Sequence, residues 1–171
     1  MYVDPNIEGW MSETELNWLY NNAKKMRQVV EIGSWKGKSS HALLSGCSGT
    51  VYCVDTWLGS WNERAGAHHE AAEKDLYNLV FLPNVGHFSN LTVMKMESMQ
   101  AVKQFSSKTI DMVFIDGCHA YPDVLADING WLPKTRLLIC GHDNGQDGVP
   151  QAIKEVFGSP KAVDRIWYVW I

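Results

Sequence analysis

The sequence lacks any apolar run of about 18 residues, the length a membrane-spanning helix requires, so no transmembrane helix is expected. It begins Met1-Tyr2-Val3-Asp4-Pro5, without the basic and apolar stretches of a secretory signal, which predicts a cytoplasmic protein. Positive charge is in short supply: 15 Lys+Arg stand against 19 Asp+Glu, a net −4 with neutral histidines. Nucleic acid or an anionic membrane surface would call for a basic stripe, and neither partner is expected. Cysteine is sparse and unpaired in pattern. Cys47, Cys53, Cys118 and Cys140 form no C-x-x-C, and two of them sit inside apolar runs, which points to reduced thiols rather than a disulfide frame or zinc ribbon. Internal repeats, low-complexity tracts and Pro/Gly/Ser linkers are also missing. The 171 residues are therefore expected to form one domain, and a chain of this length buries about 70% of its unfolded surface without staples.

What the sequence does have is tryptophan, eight in all, and a regular alternation of strand-like and helix-like segments. Ser12-Glu13-Thr14-Glu15 is a capping box, with Leu16, Leu19, Tyr20 and Ala23 following at helical spacing. Strands are predicted at 28–32, 50–55, 91–96, 110–115 and 136–140, with a final one at 166–171. Helices are predicted at 39–44, 63–81, 99–105, 121–131 and 149–157. Ile110 to Ile115 is the unbroken apolar run typical of a central parallel strand. The fold class that follows is α/β, a Rossmann-like doubly wound, mostly parallel sheet with a short C-terminal antiparallel strand. Ligands of such sheets bind beyond the carboxyl ends of the strands.

Polar residues gather at those ends. Glu31-x-Gly33-x-x-x-Gly37 occupies a strand-to-helix turn, where glycines let the backbone approach a ligand and the helix start offers N–H groups. Asp55 closes the next strand and can accept hydrogen bonds from the vicinal hydroxyls of a ribose. A dinucleotide fingerprint does not fit, because Trp35 and Lys38 stand where G-x-G-x-x-G needs other residues. A phosphate loop ending in Gly37-Lys38-Ser39 is one residue short, since Ile32 stands where its leading glycine should be; an NTPase stays open as an alternative. At the ends of strands four and five come Asp116-Gly117-Cys118-His119 and Gly141-His142-Asp143-Asn144. Adjacent strands lie about 4.8 Å apart, so Asp116, Asp143 and Asn144 can converge on one cation. Their oxygens suit Mg²⁺ or another hard divalent ion, and zinc would require His119 and His142 as well.

These segments in order, 29–40, 51–55, 110–119 and 141–144, resemble the class I S-adenosylmethionine-dependent methyltransferases. More narrowly they resemble the small O-methyltransferases, both the metal-dependent catechol type and the bacterial family with an I-D-G-x-H-x-Y strand end. The resemblance implies that Glu31, Gly33 and Gly37 line the methionine end of S-adenosylmethionine, with Ser34 and Ser39 beside them. It implies that Asp55 holds the ribose with Thr56 and Trp57 next to it, and that Ser98 and Met99 approach the adenine, Asp116 also bordering the cofactor. Asp116, Asp143 and Asn144 match the metal triad, with Mg²⁺ or another divalent cation as second cofactor. His119, three positions after the first metal acid, takes the place of a basic residue and is the candidate general base; histidine, with an ordinary pKa of about 6.5, can take a proton near neutral pH. Cys118 departs from both patterns, which leaves Trp57 as a stacking surface for adenine or a core residue. The tail after Phe157 leaves little room for the family's antiparallel strand pair.

Selectivity is expected from the N-terminal helical segment (1–27) and the insertion at 58–90, with Trp57, Trp61, Arg64, His68, His69 and His87 as candidate walls; the adjacent His68 and His69 point apart on a helix and are expected on its solvated face rather than on a metal. Trp10 and Trp18 are expected to pack on the sheet or a partner subunit, and fold analogy points to a homodimer. The expected activity is metal-assisted O-methylation of a small hydroxylated molecule. A cofactor-binding relative without catalysis, acting as an interaction module, is the alternative from another class.

Overall fold

The computed structural model describes residue 4, residues 6–59 and residues 75–171. Helix α1 (Glu13–Ala23) starts at the capping box: Ser12 Oγ accepts from the Glu15 N–H (3.2 Å) and Glu15 Oε2 from the Ser12 N–H (2.7 Å). Strands β1 (Gln28–Ile32), β2 (Thr50–Asp55), β3 (Leu91–Lys95), β4 (Ile110–Ile115) and β5 (Thr135–Gly141) follow. Between them lie α2 (Lys38–Gly46), a wide helical turn at Tyr77–Phe81 running into α3 (Leu82–Val85), α4 (Ser98–Ala101) and α5 (Tyr121–Trp131). After β5 come α6 (Val149–Phe157) and two closing strands, β6 (Lys161–Val163) and β7 (Ile166–Trp170). Both strands of the antiparallel pair therefore form, the first only three residues long. Most of the helix expected at 63–81 lies outside the described residues.

The sheet runs β3-β2-β1-β4-β5-β7-β6. β1 to β5 pair in parallel, while β7 lies antiparallel to β5 and β6. This is the expected doubly wound sheet with an antiparallel end. Strand β4 explains its own apolar run. Met112 and Phe114 point into one core with Leu19, Leu43 and Leu138; Val113 and Ile115 point into the other with Ile128, Trp131 and Trp167. Successive residues face opposite sides and both sides are covered, so water offers no polar position to fill.

Asp111 is the exception in β4, and every lone pair it turns inward is used. Its Oδ2 accepts from the N–H groups of Arg27 (2.8 Å) and Gln28 (3.2 Å), and its Oδ1 from the Arg136 guanidinium (2.9 and 2.5 Å). Burial opposes its ionisation, yet these donors hold its pKa below the usual carboxylate value.

Register delivers the site. Ile32 pairs with both Val54 and Ile115, and Ile115 with Gly141, so these four strands end level. The pairing continues one residue further through Gly33 N–H to Val54 O (2.9 Å), Asp116 N–H to Ile32 O (2.8 Å) and His142 N–H to Ile115 O (3.0 Å). Gly33, Asp55, Asp116 and His142 thus leave the sheet side by side, where strand order reverses between β1 and β4. Among the described residues no helix is long and apolar enough to cross a membrane.

Candidate active site

A cavity of about 570 Å³ opens at that edge. Of the residues expected there, Gly33, Ser34, Ser39, Asp55, Thr56 and Trp57 line it from β1 and β2. Ser98 and Met99 line it beyond β3, and Asp116, His119 and Asp143 beyond β4 and β5. Glu31, Gly37 and Asn144 do not. Glu31 lies wholly buried below the turn, its Oε2 accepting from Ser34 Oγ (2.7 Å) and Ser40 Oγ. Burial raises its pKa in spite of these bonds. Gly37, with φ 90°, opens α2 and faces Val85 and Phe81.

The turn after β1 is built for close approach. Gly33 has φ 85°, and a Cβ there would stand 2.0 Å from the Asp116 carbonyl oxygen. Asp55 holds the turn from the side: its Oδ2 accepts from the Trp35 N–H (2.8 Å) and its Oδ1 from the Trp57 N–H (2.7 Å). Burial lifts the Asp55 pKa and the backbone donors pull it back, leaving it above the usual value. The Thr56 and Ser34 N–H groups face the same carboxylate, so Asp55 sits in a ring of backbone donors at the cavity wall. Trp35 (φ 41°) and Trp57 (φ 55°) are both left-handed, a conformation bulky residues rarely hold unless their surroundings impose it. Trp57 also donates from Nε1 to the Trp35 carbonyl (2.8 Å) and packs on Tyr77 and Phe81 with ring centres 4.8 and 4.7 Å away. It is wall and core at once.

The N-terminal segment reaches the cavity directly. Trp18 packs on the sheet, 5.1 Å from Tyr168, as expected. Trp10 does otherwise: it stacks on Trp35 at 4.5 Å and 18°, lining the cavity mouth together with Gly9 and Met11. Lys36 pairs with Glu8 (2.5 Å), and Lys38 Nζ donates to the Gly9 carbonyl (3.0 Å). The lysine that suggested a phosphate loop thus ties down the segment before α1. Trp61, Arg64, His68 and His69 lie outside the described residues, and His87 packs on Phe88, 4.3 Å away, off the cavity.

Beyond β3, Ser98 Oγ donates to Asp127 Oδ1 (2.5 Å) and accepts from Trp131 Nε1 (2.8 Å). Cys118 Sγ donates to Asp123 Oδ2 (3.1 Å). Burial pushes the Asp127 carboxyl up to about 6. Asp123 and Asp127 share one face of α5 at a spacing of four residues, a signal the sequence reading did not use.

The opposite end is a chain of alternating charges. Asp116, His142 and Asp143 each present one ligand atom within 4.8 Å of the others. Asn144 is not among them: it is exposed, and its N–H bonds to the Arg165 carbonyl (3.0 Å). His119 Nε2 lies 2.8 Å from Asp143 Oδ2, and Arg165 Nη2 donates to Asp143 Oδ1 and Gln146 Oε1. His142 Nε2 meets Glu15 Oε1 (3.0 Å), while its Nδ1 faces Asp143 Oδ1 (3.3 Å) and Asp116 Oδ1 (3.6 Å). Desolvation works against the charge on His142, but these three carboxylates carry its pKa up to about 9. Burial raises Asp116 to about 7, against the pull of His142. Burial would raise Asp143 as well, yet His119 and His142 hold it well below the carboxylate range.

A hard divalent ion needs oxygen donors open to it. Here both Asp143 oxygens already meet cationic or imidazole partners and the third expected ligand is exposed, so the residues present do not fit the ion that the resemblance implies. Arg165 and Glu15 escape a reading of the sequence because each comes from a segment remote from the strand ends, whereas Gln146 lies in the loop just after β5 but carries no motif. The only hint is Asp164-Arg165, a polar pair in the tight turn between the last two strands.

The chain matches the model of a methyltransferase-domain family over residues 30–143. It is 28% identical over 149 residues to y4gI of Sinorhizobium fredii, an uncharacterized protein; the match takes in 83% of this chain, which spans 16% of that relative's length. Among solved structures, the S-adenosylhomocysteine-bound methyltransferase PaMTH1 of Podospora anserina superposes with TM-score 0.64 at 13% identity, over 95% of this chain and 80% of its own. The O-methyltransferase of Bacillus cereus in complex with S-adenosylhomocysteine superposes with TM-score 0.59 at 20% identity, over 90% and 70%. These superpositions establish the fold.

Proposed function

The chain belongs to the methyltransferase-domain family, and from that premise we propose that it transfers a methyl group from S-adenosylmethionine to a hydroxyl oxygen of a small molecule. The observation that carries this reading is one continuous cavity with the Gly33 cradle and Asp55 at one side and a His119–Asp143 pair at the other. When bound, S-adenosylmethionine supplies a sulfonium methyl, whose S–C bond breaks as an O–C bond forms. The chain's own groups then have three tasks. Asp55 accepts the ribose hydroxyls, and Gly33 leaves room for the backbone to meet the methionine end. The Ser98–Met99 wall, backed by Asp127, meets the adenine. His119 takes the proton: with Nε2–H donated to Asp143, the basic lone pair of the neutral ring is on Nδ1, and Asp147 Oδ2, 3.8 Å from that nitrogen, favours the charge it gains. The hydroxyl proton passes to that nitrogen and on to water, which balances the positive charge lost with the sulfonium.

Alignment of the two reactants supplies most of such a rate, and a base of this kind adds roughly 10²–10⁴. Assistance by a divalent ion, the other expectation from the resemblance, has no part in this route, because Asp143 is already engaged. The test is transfer of a labelled methyl group to a panel of small phenols, catechols and glycosides. We expect at least one acceptor to be methylated on oxygen. His119→Ala should lose roughly 10²–10⁴ in turnover while binding S-adenosylhomocysteine as the parent does. Binding of the cofactor without transfer to any hydroxyl would make the chain a binding module and overturn the proposal.

A further inference from the structure

Arg165 stands where a cation is wanted. It sits in the turn between β6 and β7, and its backbone is pinned on both sides: its N–H donates to Glu15 Oε1 (3.0 Å) and its carbonyl accepts from the Asn144 N–H (3.0 Å). The neighbouring Asp164 is tied to α1 by Ser12 Oγ (2.8 Å). The turn is therefore docked against the N-terminal helix, and the direction of the Arg165 side chain follows from that docking. Its Nη2 donates to Asp143 Oδ1 and Gln146 Oε1, and the side chain lines the acceptor end of the cavity with His119. Asp143 itself is 5% exposed and held at φ 57°, so its backbone is committed to presenting the carboxylate there.

We propose that the Arg165 guanidinium takes the cation position beside Asp143, so that this chain holds the acceptor oxygen with an arginine rather than with a divalent ion. The inference rests on the proposed reaction for its purpose, but not for its geometry. A guanidinium has five N–H donors in a rigid fork, is always charged, and is less strongly hydrated than an ammonium, so it can grip a carboxylate and still offer donors to a second oxygen. Mg²⁺ demands a near-octahedral oxygen shell and gives up water reluctantly. To bind here it would have to displace Arg165 from Asp143 and accept an imidazole, that of His142, in place of the exposed Asn144.

The test is Mn²⁺ binding to the full chain, followed by the loss of the free-ion electron paramagnetic resonance signal, with no acceptor or cofactor present. The parent chain is expected to leave millimolar Mn²⁺ unbound. Arg165→Ala uncovers Asp143 beside Asp116 and His142 and should gain at least tenfold in Mn²⁺ affinity. Arg165→Lys, which keeps a charge but loses the fork, should gain less; thermal melts confirm that each variant is folded. In the methyl-transfer assay the parent should be indifferent to EDTA, and Arg165→Ala should fall in turnover with unchanged affinity for S-adenosylhomocysteine. Micromolar Mn²⁺ binding by the parent that disappears in Asp143→Asn would overturn the inference, as would an Arg165→Ala variant that gains no affinity. Neither outcome touches the proposed methyl transfer, which stands or falls on the labelled transfer itself.

Discussion

A methyl group at residue 33 would collide with the backbone of the neighbouring strand end. The Cβ of Gly33→Ala would meet the Asp116 carbonyl oxygen at 2.0 Å, and the residue would also have to hold φ 85°. Left-handed strain costs of order 1–3 kcal/mol and the overlap adds to it. We therefore expect Gly33→Ala to lose about 3 kcal/mol of stability by chemical denaturation, and to lose S-adenosylhomocysteine binding even where it remains folded. An unchanged denaturation midpoint would contradict the geometry of this turn. At the scale of single residues, legibility follows locality. Asp55 and Asp116 can be read from the sequence because each is the first polar group after a buried apolar run, and Asp143 because it follows His142, the first such group after β5. Arg165 cannot, because only the antiparallel register of β7 on β5 returns it to the edge where β5 ends. Asn144 misleads for a related reason: Asp143 turns left-handed, and the next residue is carried outward.

Helix α1 owes its start to Ser12 and Glu15, a signal visible in four residues of sequence, but Glu15 does more than cap. Its Oε2 closes the capping box while its Oε1 reaches His142 and the Arg165 N–H, bolting the helix to the end of β5. The folded-state pKa of His142 lies near 9, above its ordinary 6.5. A raised pKa means that the folded state holds the proton more tightly. The resulting stability is complete below about pH 6.5 and is lost as pH rises through about 9, and for this buried group it is on the order of 3 kcal/mol. Thermal melts of the parent should therefore fall between pH 6.5 and 9. His142→Asn should melt lower at pH 6 and lose less across that window. Parallel curves for the two proteins would show that His142 carries no charge in the fold. Strands β1, β2 and β4 and helices α5 and α6 run over the residues that the sequence predicts, since apolar runs and flanking glycine, proline or polar residues mark their limits. The short helix after β3 does not: it passes into a tighter turn at Val102–Gln104, a change of pitch that apolar spacing alone cannot register.

Across the whole molecule, sheet order is the fact that makes a site. Strand succession alone predicts a parallel sheet, but only the pairing of β1 with both β2 and β4 levels Gly33, Asp55, Asp116 and His142 on one edge. The proposed methyl transfer requires the cavity at that edge to take an S-adenosyl ligand through Asp55. Losing hydrogen bonds to a charged acceptor costs about 1.5–3 kcal/mol each, roughly tenfold or more in affinity. Isothermal titration of S-adenosylhomocysteine into the parent chain and into Asp55→Ala tests this directly. Micromolar binding by the parent is expected, weakened at least tenfold in the variant, with no binding of ATP to either. No heat of binding with the parent, or equal affinity in both proteins, would contradict it.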